Sequence, residues 1–169
     1  MASTAWSEFA DLDGERPCLL DEAISIPGRL DIEIKNLPGE PGFDPTGRLA
    51  LMAASRARAA DIVTSFYWPD LDLIRARRPE VSTGLLVAEG GPARDAVAYA
   101  VDGGHAAVIA HDSLIDENML VASAEAGIPV VAWTVNDEER SIELSRAGVA
   151  AIITDRPHVI ASALGDPGE

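Results

Sequence analysis

The chain has 169 residues, 47% of them apolar, enough for one domain with a sizeable core. Its 13 basic and 28 acidic residues leave a formal net charge of −15, which repels phosphate backbones and counts against nucleic-acid binding. Cys18 is the only cysteine, so no intramolecular disulfide can form, and neither a leader-like apolar stretch nor a run of roughly 20 apolar residues is present; the expectation is a soluble cytoplasmic protein with no membrane span.

In chain order, LLDEAI (19–24) predicts a short helix and LDIEIK (30–35) is the first of six β-branched runs. PGEPGFDPTG (38–47) is a Pro/Gly loop, read as a connector with a gating role as the alternative. The other strands are DIVTSF (61–66), STGLLVA (82–88), HAAVIA (105–110), PVVAWTV (129–135) and VAAIIT (149–154), with successive starts 20 to 31 residues apart. Segments with helical spacing lie between them. Two of these, SLIDENMLVASAEAG (113–127) and DEERSIELSRAG (137–148), end at Gly127 and Gly148, where left-handed C-caps are expected. Several strands are continuous apolar runs, which suits parallel strands covered by helices or curled into a barrel. The fold class is α/β, built of βα repeats.

In such folds the functional side chains sit where strands end at their carboxyl side. Those positions hold Glu33, Lys35 and Asn36, then Ser65 and Phe66, then Glu89, then His111 and Asp112, then Trp133, Thr134 and Asn136, and finally Thr154, Asp155 and Arg156. Glu33 and Lys35 alternate with Ile32 and Ile34, so the polar pair faces one way and the isoleucines the other. A carboxylate beside an ammonium can hold a divalent cation and a phosphate oxygen, or can be a plain ion pair inside a barrel; residue types leave both readings open. Asn136 ahead of DEER reads as a helix N-cap. Ser113 with Asp116 reads as a variant capping box that makes His111 and Asp112 a turn, and Asp155 as a cap with Pro157 in the first turn. His105 and His158 lack a ligand-spaced partner and read as core or surface histidines; EGGPAR (89–94) fits no phosphate-binding pattern and reads as a turn.

Together, PCLLDEAI, LDIEIKN, DIVTSF, AGIPVVAWTVND and AGVAAIITDRP, in this order and at these distances, resemble the glycerophosphodiester phosphodiesterase family over residues 16–163. The resemblance implies a (β/α)8 TIM barrel of lipid metabolism that hydrolyses glycerophosphodiesters to an alcohol and glycerol 3-phosphate. It implies a divalent metal, calcium or magnesium, held by carboxylates, with Glu33 as a metal ligand, Lys35 approaching the phosphate and Trp133 lining the pocket near the glycerol. It also makes the six runs strands three to eight, an incomplete barrel, in keeping with a length short of the about 250 residues usual for a whole one.

The family's His-Arg-Gly and Glu-x-Asp do not occur in the chain, and no His-Asp stands in the place that follows them. These motifs supply both family histidines and two more metal carboxylates, so the catalytic set is incomplete. One carboxylate and one lysine cannot provide the acid, the base and the charge neutralisation that in-line attack on phosphorus needs. Asp11 and Asp13, in DLDG, read as a turn and not as replacements. The expectation is an N-terminally truncated member, weak or inactive alone. The alternative is a non-catalytic module in which Lys35, Trp133 and Asn136 bind a phosphorylated small molecule, or which binds a partner chain. Residues 1–15, with Trp6 and Phe9, are expected to cover an open strand edge unless a second copy or a complementing chain does so. Residues 16–163 are expected to form the partial domain and residues 164–169 a disordered tail.

Overall fold

A computed structural model describes residues 18–165. Six parallel strands form one sheet in which each strand pairs with its neighbours in sequence: β1 (Asp31–Ile34), β2 (Ile62–Ser65), β3 (Ser82–Val87), β4 (Ala107–His111), β5 (Val130–Trp133) and β6 (Ala151–Ile152). Helices alternate with them as α1 (Leu20–Ala23), α2 (Arg48–Arg56), α3 (Trp68–Arg77), α4 (Ala93–Gly103), α5 (Glu117–Ala126), α6 (Glu138–Ala147) and α7 (Pro157–Leu164). Every strand overlaps its expected run, and β4 continues one residue further, to His111.

Alternation along the strands separates two apolar faces. Ile32, Ile34, Val63, Leu85, Val87, Val108 and Val130 point outward into the main core, where Ala50, Ala54, Leu71, Ile74, Ala96 and Ala100 of the helices cover them. Ile62, Phe66, Leu86, Ala107, Ile109, Val131 and Trp133 form a second cluster on the inner face. Packing on both faces explains why β3 and β4 read as continuous apolar runs. The rings of Phe66 and Trp133 have centroids 5.5 Å apart. In a flat sheet, three strand spacings would part β2 from β5 by about 14 Å. The sheet is therefore curled, an incomplete TIM-type barrel of α/β class.

Two buried aspartates fasten the β1 end of this curl. Asp61 accepts hydrogen bonds from Arg58 Nε at 2.8 Å, Arg58 Nη2 at 2.7 Å, the Arg58 backbone at 2.9 Å and the Leu30 backbone at 3.0 Å. The remaining Arg58 N–H groups donate to the carbonyls of Ile24 and Gly28, so the pair ties the α1–β1 connection to β2. The Arg58 guanidinium holds the Asp61 carboxyl far below the usual carboxylate range. At the opposite end of β1, Asn36 is buried and donates through Nδ2 to Asp70 at 2.8 Å and to the Asp44 carbonyl at 3.0 Å, while its Oδ1 accepts the Asp44 N–H at 2.7 Å. Asp44 in turn accepts the Leu49 N–H in the first turn of α2. The 38–47 loop is thus a pinned connector.

The caps differ in part from expectation. Asp137, not Asn136, caps α6 by accepting the Arg140 N–H at 2.8 Å. Asn136 is turned instead toward the end of β6, where the Asp155 N–H and the Thr154 hydroxyl both donate to its Oδ1. Arg156 and not Asp155 occupies the N-cap position of α7, and the Asp155 carboxylate accepts from Asn136 Nδ2 at 2.8 Å. Asp116 itself, and not Ser113, caps α5 by accepting the Met119 N–H at 2.8 Å, so the capping box expected from Ser113 does not form.

Gly127 and Gly148 adopt φ of 67° and 100° after α5 and α6. Nothing lies within 4 Å of a Cβ built at Gly148, so its cost is backbone strain alone. Gly148→Ala is expected to lower stability by about 1–2 kcal/mol in thermal denaturation.

Among the described residues, β1 and β6 each lack a strand on one side. Leu30 turns its carbonyl to β2, so by alternation Asp31 and Glu33 turn their backbone groups to the open edge. Exposed Leu19, Leu20, Leu49 and Met52 line a groove of about 490 Å³ there. The segment 1–15 expected to cover this edge lies outside the described residues. Helix α7 runs to Leu164, one residue into the expected tail, most of which also lies outside them. No helix among the described residues is long and apolar enough to cross a membrane.

Candidate functional site on the inner rim

Along β1 the exposure alternates, with Asp31 and Glu33 open and Ile32 and Ile34 buried, as LDIEIK predicts. Lys35 Nζ lies 3.2 Å from Glu33 Oε1, with 82% of the lysine and 34% of the glutamate side chain exposed. The ion-pair reading therefore describes the geometry, but at an open rim and not inside a closed barrel. Solvent screens such a contact and leaves both groups free to exchange partners. Asp31, on the same face, was not among the expected rim residues, although its alternation with Glu33 and Lys35 signals it. It accepts the Thr64 hydroxyl at 2.6 Å. Desolvation pushes the Asp31 carboxyl up, the Thr64 hydrogen bond opposes this, and the neighbouring Glu33 charge adds to the rise.

Further round the rim, Phe66, Trp133 and His111 form an aromatic corner. Trp133 meets Phe66 edge-on and His111 edge-on, with the second pair of centroids 5.3 Å apart. The Trp133 indole N–H donates to the Ile109 carbonyl at 3.1 Å, which fixes the ring against the inner face. The peptide bond that follows, Trp133–Thr134, is cis. Asn136 stands next to this corner in sequence but spends its amide on Thr154 and Asp155, joining the ends of β5 and β6.

Other expected rim residues serve the scaffold. Ser65 donates to the Ile34 carbonyl and accepts the Tyr67 N–H. Asp112 accepts Arg140 Nε at 2.8 Å and so joins the β4 end to α6. His105 is a core histidine: it contacts Thr83 Oγ1 at 2.8 Å and Asp72 Oδ1 at 3.2 Å, and burial pushes its pKa down. Asp72 also accepts the Tyr99 hydroxyl, which moves that phenol up to about 12. His158 is exposed.

A divalent cation of the calcium type gathers six or more oxygen ligands, several of them from carboxylates. Glu33 and Asp31 offer two carboxylates on one strand face. Among the described residues, however, no group of three His, Cys, Asp or Glu side chains is placed to hold a metal ion. The residues described do not make a divalent-cation site by themselves. A groove of about 530 Å³ between α5 and α6 shares no residue with the rim.

The family model described as glycerophosphoryl diester phosphodiesterase matches residues 19–159. The chain belongs to the glycerophosphoryl diester phosphodiesterase family. Solved structures agree on the fold. A glycerophosphodiester phosphodiesterase from Parabacteroides distasonis is 18% identical with a TM-score of 0.70, over 96% of this chain and 71% of that one. One from Thermotoga maritima is 23% identical with a TM-score of 0.66, over 92% and 67%. An Oleispira antarctica phosphodiesterase, solved with its product sn-glycerol-3-phosphate, is 24% identical with a TM-score of 0.60, over 70% and 49%. The chain spans about half the length of that protein and 48% of a Silicibacter pomeroyi structure of similar fold. No curated protein matches the chain.

Proposed function

We propose that the chain provides the Glu33, Lys35 and Trp133 side of a glycerophosphodiester site. On this reading it binds a glycerol phosphate-like small molecule on its inner rim and hydrolyses phosphodiesters weakly or not at all by itself. The observation that carries the reading is the shared inner face of Glu33, Lys35, Phe66 and Trp133 at the carboxyl ends of their strands. Lys35, almost fully exposed, supplies a cation for phosphate on a chain whose net charge of −15 would otherwise repel one. Phe66 and Trp133 offer a flat apolar wall for the carbons of glycerol. The product in the Oleispira structure supports this ligand chemistry. The metal dependence usual in the family enters only if carboxylates beyond Asp31 and Glu33 join them. Weak hydrolysis follows from the chemistry of the rim, where Glu33 faces Lys35 and the further carboxylate on that face, Asp31, accepts the Thr64 hydroxyl.

Titration calorimetry with sn-glycerol 3-phosphate tests the binding half. Lys35→Ala, at an exposed position that leaves the fold undisturbed, is expected to weaken affinity by about 3- to 10-fold. No heat of binding from the unaltered chain would overturn this half. For the hydrolytic half, turnover of a glycerophosphodiester with calcium or magnesium is expected at background for the unaltered chain and Glu33→Ala alike. Robust turnover that disappears in Glu33→Ala would show the chain to be competent alone.

A further inference from the structure

We infer that His111 is a ligand-recognition residue of this site, donating its Nε2–H to a hydroxyl oxygen of the glycerol part. The inference rests on the glycerol phosphate reading above and specifies which group reads the alcohol. His111 is the last residue of β4 and lies in register with Trp133 of β5, so both rings stand at the carboxyl ends of adjacent strands. Its ring sits edge-on to the indole, at an interplanar angle of 89°.

The other side of the imidazole is fixed by its own chain. The Ser113 backbone N–H donates to His111 Nδ1 at 3.3 Å, and Ser113 Oγ lies 2.8 Å from the same nitrogen. A ring nitrogen that accepts an amide proton has its lone pair in use, so the proton of the neutral ring resides on Nε2. His111 is thereby held as a donor of known tautomer. The neighbouring Trp133 cannot play that part, because its indole N–H is spent on the Ile109 carbonyl. An N–H donor set against an aromatic wall matches an oxygen on an aliphatic skeleton. The phosphate falls to Lys35, whose exposed ammonium stands one residue past β1 beside Glu33.

Two measurements test this. Titration of the full chain with sn-glycerol 3-phosphate and, separately, with methyl phosphate compares the unaltered protein with His111→Phe, which keeps an aromatic edge against Trp133 and removes the donor. Affinity for sn-glycerol 3-phosphate should fall about 3- to 10-fold while that for methyl phosphate stays the same; Lys35→Ala should weaken both. Equal loss for both ligands, or no loss for either, would overturn the role of His111 while leaving the glycerol phosphate reading intact. Absence of binding in the unaltered protein would instead overturn that reading, and the inference with it. Independently of any variant, long-range proton–nitrogen NMR of the unaltered chain should show the Nε2–H tautomer for His111, with its Nε2 resonance shifting on addition of sn-glycerol 3-phosphate. An Nδ1–H tautomer, or an Nε2 signal that ignores the ligand, would also overturn it.

Discussion

Asn36→Ala is expected to destabilise the fold by about 2–4 kcal/mol at neutral pH, read from urea denaturation at constant slope. Asn36 and its partner Asp70 are 1% and 3% exposed. The truncation leaves the Asp70 carboxylate without its amide donor and the Asp44 N–H and carbonyl without their partners. The cost exceeds that of a single hydrogen bond because one abandoned group is a buried charge and because the 38–47 loop loses its attachment to β1. The deficit also depends on pH. Burial already pushes the Asp70 carboxyl above its ordinary value, and the Asn36 hydrogen bond is the chief force opposing that rise. Without it the folded variant binds a proton at higher pH than the folded parent. Stability of the variant relative to the parent therefore recovers as pH falls through the Asp70 titration, above the ordinary carboxylate pKa of about 4. A deficit that stayed constant between neutral and mildly acid pH would mean that Asp70 does not carry the effect.

Asp61→Ala should cost at least as much, because the Asp61 side chain is wholly buried and organises four N–H donors around itself. Its loss strands the Arg58 guanidinium and frees the α1–β1 connection. Here the acid limb runs in the opposite window. The folded pKa of Asp61 is depressed, so its contribution is complete above the unfolded carboxylate value of about 4 and is lost as pH falls below it toward the folded value. The difference in denaturation midpoint between parent and Asp61→Ala should hold constant from neutral pH down to about 4 and close only beneath it. If it closed already in the range where Asp70 titrates, the assignment of the two windows to the two aspartates would fail.

These two residues also mark where sequence reasoning reached its limit. The strands were legible because β-branched runs recur at the interval of a βα unit, and the ends of α5 and α6 because only glycine takes φ of 67° and 100° without strain. The face shared by Glu33 and Lys35 follows from two-residue alternation alone. What did not follow depends on contacts between distant segments. Asn136 and Asp137 are both good capping residues, and the choice between them is made by Thr154 and Asp155, almost twenty residues later, which occupy the Asn136 amide. His111 reads as a turn residue, and as far as Ser113 that is correct; the contact with Trp133 exists only through the β4–β5 register. Asn36 looks like a rim residue by position, whereas its three hydrogen bonds to Asp44 and Asp70 make it a tie inside the wall.

Among the described residues, the order β1-β2-β3-β4-β5-β6 means that each strand pairs only with the one before and the one after it, with the Phe66–Trp133 contact as a cross-link over the inner face. Such an arrangement behaves thermodynamically like a short linear array, in which the free energy is close to a sum of unit terms and nearest-neighbour interfaces. A terminal unit can open by breaking one interface, whereas a central unit must break two, so protection against opening rises from both ends toward β3 and β4. The rim inherits this gradient. Lys35 and Glu33 belong to a terminal unit and His111 to an inner one, so a ligand that touches both would clamp the looser end of the array to its firmest part.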